Sequence, residues 1–296
     1  MGTIRIGTCS WTDPTLIKAG TFYPSDATTA EARLSYYASQ FSIVEVDSSY
    51  YAMPDRRTAI LWTQRTPEDF VFDIKSFRLF THHPTEARVL PPDLRGTLPK
   101  ELREKRRFYY RDVPEEVLRL LWAHFEDALL PLDSAGKLGV VLFQFPEWFV
   151  PGVRQMDHII ECKERLKTHV LAVEFRNNLW LSERHREATF SFLREHELAY
   201  VCVDAPQGFR SSVPPVTAVT ANTAVVRFHG RNASAWKSGG SSAADRFDYY
   251  YSKEELEPWA KSIKECSDTA HETHVLFNTN NGDQGVVNAR LMGRLL

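Results

Sequence analysis

Eight short runs of β-branched and aliphatic residues, separated by helical periods, restrict the fold of this chain more than any other feature. The runs cover 4–11, 43–50, 70–77, 138–146, 169–177, 200–204, 224–231 and 274–280. Most of them turn charged or amide-bearing at alternate residues where the chain leaves the run. Between them, Leu34, Tyr37, Ala38 and Phe41 repeat at the spacing of one helix face, and a second helix is expected over 54–66, with Pro54 in its first turn. Val117, Leu118, Leu121, Trp122, Phe125 and Leu129 mark a longer amphipathic helix. Further helical patterns lie at 156–166, 188–195 and 288–296, and Ser252 with Glu255 forms a capping box ahead of Leu256, Trp259 and Ile263. Strands alternating with helices imply parallel pairing through crossovers. The expected fold is therefore α/β, a single TIM (β/α)8 barrel over 1–296 with no linker that would split it.

Two stretches interrupt the rhythm. The segment 79–137 holds far more chain than one helix needs, so an insertion over 79–113 is expected to cover the barrel mouth as a lid before the long helix begins. It contains His82 and His83, and the basic run 103–107 followed by Phe108, Tyr109 and Tyr110. The second stretch, 230–248, is rich in Gly and Ser around Trp236 and Lys237 and reads as an extended flap after the seventh strand.

Composition narrows the class. Apolar residues make up 43% of the chain, enough for a large core, and a formal net charge of -2 gives no global polycation to attract nucleic acid or an anionic membrane. No run approaches the ~18 consecutive apolar residues of a membrane span. Cys9, Cys162, Cys202 and Cys266 are far apart and form no CxxC pair. Together with the lack of a signal-peptide pattern, this is read as reduced thiols in a cytoplasmic protein.

Strand side chains alternate between faces, so polar residues in phase share one face. That set is Glu45 and Asp47; Asp73 and Lys75; Gln144; Glu174 and Arg176; Asp204; Arg227 and His229; Asn278 and Asn280. A parallel barrel gathers strand ends at one mouth, where such folds keep their active sites. Glu45, Asp47, Asp73, Glu174 and Asp204 cannot all stay ionised in one dehydrated mouth without compensation. Lys75, Arg176 and Arg227 are the available partners, and a layer of internal ion pairs is the plain structural alternative.

Arg176, Arg227 and Arg231 are assigned to anion binding, since guanidinium forks match phosphate and carboxylate oxygens. Glu174 and Asp204 are the expected acid/base pair, with His229 as proton shuttle or metal ligand. Lys75 is read as a base, a Schiff-base amine or a charge partner. Glu45, Gln144 and Asn278 would orient the substrate, and Trp11 and Tyr50 would offer it aromatic faces, as would Tyr51, Trp148, Trp180 and Trp236. A divalent metal on Glu174, Asp204, His229 and Glu45 is weighed, but cations crowd those residues, so no metal or other cofactor is assigned. Cys9 reads as a buried small hydrophobe. The basic run 103–107 is diluted by Glu101, Glu104 and Asp112, so a solvated loop is favoured over a nucleic-acid patch.

These residues point to an enzyme acting on a phosphate- or carboxylate-bearing small molecule, with phosphoester hydrolysis of a nucleotide or nucleic-acid fragment favoured. Sugar isomerisation is the first alternative, and a non-catalytic barrel that binds a ligand or nucleic acid is the second. No membrane partner is expected.

Several ordered blocks carry a resemblance: Gly7-Thr-Cys-Ser-Trp11, Phe22-Tyr-Pro24, Ser35-Tyr-Tyr-Ala38, Val44-Glu-Val-Asp-Ser-Ser-Tyr50, Ala172-Val-Glu-Phe-Arg176, Arg227-Phe-His-Gly-Arg231 and the run 277–281. As a set they resemble domain-of-unknown-function family 72, also called YecE-like, over essentially the whole chain. The resemblance implies a TIM barrel and supplies no established reaction. The stretches 79–113 and 230–248 are where this chain departs from shorter members.

Overall fold

The computed structural model describes residues 1–237 and 246–296, so the centre of the segment read as a flap, 238–245, lies outside the described residues. Eight parallel strands close into a barrel in sequence order: β1 (Thr3–Thr8), β2 (Ile43–Val46), β3 (Val71–Lys75), β4 (Leu138–Phe145), β5 (Val170–Phe175), β6 (Ala199–Asp204), β7 (Thr223–Phe228) and β8 (Glu272–Phe277). The last seam pairs β8 with β1, from Thr3 against Glu272 to Thr8 against Phe277. Helices cover the outside, so β2, β3 and β6 are buried at every position. Burial on both faces is why these strands read as continuous apolar runs rather than alternating ones. Gly7 is needed at the first seam, because a β-carbon there would meet the Ile43 carbonyl oxygen well inside van der Waals contact.

Local chemistry sets the helix starts. Thr29 caps the helix Ala30–Gln40 by accepting from the Ala32 amide. Asp55, rather than a proline in the first turn, caps Arg56–Gln64 through the Thr58 amide; Pro54 stands outside the helix. Ser252 and Glu255 form the capping box of Lys253–Thr269. Gln284–Leu295 closes the chain against β1 and β8.

Between β3 and β4 the chain makes the long excursion. It runs through short helices Pro92–Arg95 and Lys100–Glu104 and an isolated bridge of Thr85 with Phe108, then enters the long helix Glu115–Ser134. Phe80 and Phe108 are fully buried, and Phe80 stacks on Trp122 with ring centroids 3.7 Å apart. This packing ties the excursion to the barrel wall and sets His82 and His83 beside the mouth. The extended loop after β7 leads to Lys253–Thr269. Among the described residues no helix is long and apolar enough to cross a membrane. The four thiols are free and buried.

Candidate active site at the barrel mouth

Arg227 spans the interior of the barrel from β7. Its Nη2 donates to Glu45 Oε1 on β2 at 2.7 Å and its Nη1 to Glu174 Oε2 on β5, and none of the three side chains is exposed. Cys9 Sγ lies 3.6 Å from the same Nη2 and 3.5 Å from Glu45 Oε2. The buried Arg227 Nε has no hydrogen-bond partner among the described residues. The other Glu174 oxygen accepts from Gln144 Nε2 at 2.8 Å and Arg176 Nε at 2.7 Å, and His229 Nε2 lies 3.0 Å away. Asn278 Nδ2 reaches His229 Nδ1 at 3.0 Å, and Asn280 Nδ2 donates to Asn278 Oδ1. With the amide donating to Nδ1, the imidazole carries its proton on Nε2 and gives it to Glu174.

A second cluster stands at the rim. Lys75 Nζ bonds Asp47 Oδ1 at 2.6 Å and sits 4.8 Å from the Tyr50 ring centroid, which Arg78 approaches to 5.3 Å. His83 meets the edge of Tyr50 at 5.2 Å. The central groups are sealed, whereas the side chains of Lys75, Asp47 and Arg176 keep 9%, 23% and 14% exposure, so an entering ligand meets these first.

Electrostatics splits the two central carboxyls. Burial pushes Glu45 up to about 7, against the opposing pull of Arg227 and Lys75. Burial acts the same way on Glu174, but Arg227, Arg176 and His229 together outweigh it and hold that carboxyl well below the usual range. His229 is pulled down to about 3 by burial and then by Arg176, so it is neutral. Burial works against the Lys75 ammonium, but Asp47 and Glu45 together outweigh it and raise its pKa. An amine held charged in this way is a cation in the mouth, which removes the support for its reading as a base or Schiff-base amine.

The structure brings together Glu45, Tyr50, Lys75, Gln144, Glu174, Arg176, Arg227, His229 and Asn278, and it separates three residues expected with them. Asp204 faces outward: Val203 is the register partner of Arg227, and Asp204 pairs with Phe228. It accepts from Trp259 Nε1 at 2.7 Å, Tyr251 Oη at 2.8 Å, and Arg231 Nε and Nη2 at 2.9 and 2.7 Å. The expected Glu174–Asp204 acid/base pair is therefore not assembled. Every residue of β6 before Asp204 is apolar or aromatic, so period-two counting had no phase to read there. Arg231 follows Gly230, whose φ of 79° breaks the alternation, and it turns to Asp204 and Glu255 instead of the mouth. Trp11 lies beyond the end of β1 and packs against Trp62 and Phe72 on the outside of the barrel.

Asp73 faces inward but in a deeper layer, where both its oxygens lie 3.0 Å from His274 Nδ1. Trp180 is buried against Phe175. The weighed metal set fails for the same reason as the acid/base pair: Asp204 points away, and Glu174 is occupied by its guanidinium and amide donors. Among the described residues no three His, Cys, Asp or Glu side chains converge as metal ligands. In the basic run, Lys105 pairs with Asp112 at 3.4 Å and Arg107 with Glu86 at 4.0 Å, both at the surface.

Sequence reasoning passed over Arg78 and left His83 in a loop; no local pattern marks either. His274 was legible, since it shares the phase of Asn278 and Asn280.

The chain matches the family described as a protein of unknown function, DUF72, over residues 5–296. UPF0759 protein YunF of Bacillus subtilis (strain 168) is 33% identical over 297 residues, spanning 99% of this chain and 94% of that protein. A crystal structure of a DUF72 family protein from Enterococcus faecalis V583 superposes with a TM-score of 0.80 at 25% identity, covering 99% of this chain and 95% of that one. Another, from Thermotoga maritima MSB8, gives 0.74 at 28% identity, covering 99% and 98%. The chain therefore belongs to the DUF72 family.

Proposed function

We propose that the mouth is an active site for a phosphate- or carboxylate-bearing substrate, with Glu45 and Glu174 dividing the proton transfers. The observation that carries this reading is one buried guanidinium, Arg227, bridging two carboxyls held at opposite ends of the acid range. Pairs of titratable groups driven apart by their surroundings are how enzymes assign an acid and a base at one pH. Lys75 at the end of β3 and Arg176 just past β5 are the partly accessible cations. Among the described residues Lys75, Arg78, Arg176 and Arg227 stand at the mouth with Asp47, Glu174 and the raised Glu45, and the Arg246 charge also acts on Arg176, so an entering anion is favoured. Gln144, His229 and Asn278 hold Glu174 and one another in place.

Phosphoester hydrolysis fits these parts best. Water is the nucleophile and passes a proton to the ionised Glu174, Lys75 and Arg176 meet the charge that grows on the phosphoryl oxygens, and the protonated Glu45 supplies the leaving oxygen with its proton as the P–O bond breaks. The test uses p-nitrophenyl phosphate and bis(p-nitrophenyl) phosphate as substrates, with inorganic phosphate binding followed by calorimetry. Glu45→Gln is expected to lower turnover about 100-fold or more while phosphate affinity survives. Arg176→Ala is expected to weaken phosphate binding about tenfold. An unchanged rate in Glu45→Gln, or phosphate binding indifferent to Arg176, overturns the reading. Phosphate binding that depends on Arg176 without turnover of either ester assigns the mouth to a non-catalytic ligand barrel instead.

A further inference from the structure

Beside the mouth, in the excursion after β3, lies a cleft of about 440 Å³ bounded by His82, Tyr109, Tyr110, Arg111, Trp148 and Gln155 among others. Two of its walls are large rings open to solvent, Trp148 at 52% exposure and Tyr109 at 39%. Exposed aromatics of this size beside a cavity offer flat apolar faces that water covers poorly. The inner wall is His82 lying nearly parallel to Tyr110, with centroids 5.8 Å apart and an interplanar angle of 20°. His82 is one of two non-glycine residues described with positive φ, at 61°. A left-handed backbone at a residue other than glycine costs energy and persists only where the surrounding structure holds it. Here the strain turns His82 into the cleft, while its neighbour His83 faces the mouth at Tyr50 and touches Trp148 at 5.7 Å.

Charge completes the site. Tyr110 Oη bonds Glu161 at 2.6 Å, but that carboxylate is already matched by Arg165 at 3.1 Å and His158 at 3.3 Å. Burial holds His82 neutral, with a pKa pulled down to about 3. Arg111, exposed at the edge, has no carboxylate within 4.0 Å among the described residues. An exposed guanidinium outside ion-pair distance of any described carboxylate, its charge felt by the neighbouring Asp112, stands next to two aromatic faces and matches a ligand that is flat at one end and anionic at the other.

We infer that this cleft binds a planar heteroaromatic ring carrying an anionic group, the ring against Trp148 and Tyr109 and the anion on Arg111. The site is separate from the mouth and does not depend on its chemistry. The probes are AMP and nicotinate, which supply the anion as phosphate or carboxylate, with adenosine as the uncharged control. Binding is read as saturable quenching of the fluorescence component that Trp148→Phe removes. At least one anionic probe is expected to quench it, with the midpoint moved about tenfold in Arg111→Ala and unmoved in Arg176→Ala. Adenosine is expected to quench only at the weakened midpoint. Quenching by neither anionic probe, or a midpoint indifferent to Arg111, overturns the assignment. Quenching abolished by Arg176→Ala also overturns it, by moving the ligand into the mouth.

Discussion

Replacing Glu45 by Gln tests the electrostatics of the barrel centre directly. In the folded protein burial lifts this carboxyl from 4.5 to about 7, so the folded chain holds its proton more tightly than the unfolded chain does. The stability this gives is fully present below about pH 4.5 and is lost as the pH climbs through about 7. Above that point the native state must carry an ionised carboxylate in a dry site. The gap corresponds to about 3 kcal/mol at 25 °C. Gln imitates the protonated form, since its carbonyl can still accept from Arg227 Nη2. Relative to the wild type, Glu45→Gln is therefore expected to gain about 3 kcal/mol between pH 4.5 and pH 8. Urea unfolding followed by tryptophan fluorescence across that range gives the difference at each pH. His274, raised to about 9 by Asp73 and Glu272 against its burial, is present in both proteins and its titration cancels. A difference that is flat with pH, or that favours the wild type increasingly as the pH rises, would show that Glu45 is ionised in the barrel and that burial does not control it.

Two further outcomes separate scaffold from site. Asp204→Asn leaves Arg231 with Glu255 as its remaining carboxylate and weakens the bonds from Trp259 and Tyr251, so a stability loss of about 2 kcal/mol is expected in thermal melts, with phosphate affinity unchanged by calorimetry. A well-folded Asp204→Asn protein with altered affinity would return that residue to the binding machinery. Gly7→Ala drives a methyl group into the Ile43 carbonyl at the β1–β2 seam, and a loss of about 2 kcal/mol or more is expected. An unshifted urea midpoint would mean that the two strands do not approach as closely as described.

The barrel was legible because its signal is redundant: eight apolar runs spaced by helical periods allow few other closures. The site was legible wherever a strand carried a polar residue among apolar ones of known phase. Glu174 is fixed by Gln144 beside it in the register, and Arg227 and His229 fix each other two residues apart. Phase failed where the strand itself had none, as in β6, and where regular alternation stopped before the residue in question. Trp11 lies past Thr8, and Arg231 past a left-handed glycine. Depth within the barrel was also invisible, because alternation reports which face a side chain shares but not how far along the axis it sits. Asp73 and Glu45 are register neighbours, yet one is committed to His274 and the other to Arg227. His83 and Arg78 reach the rim by tertiary packing of the excursion, for which the linear sequence has no periodic mark.

The seam joining β1 to β8 has a consequence for how the protein is made. Its partners, Thr3 and Glu272, lie far apart in sequence, so the ring cannot shut until β8 has been synthesised. Throughout that interval β1 has an unsatisfied row of amides and carbonyls available to any other extended segment nearby. Ribosome-bound intermediates halted before residue 272 should therefore depend on chaperones far more than the released chain does.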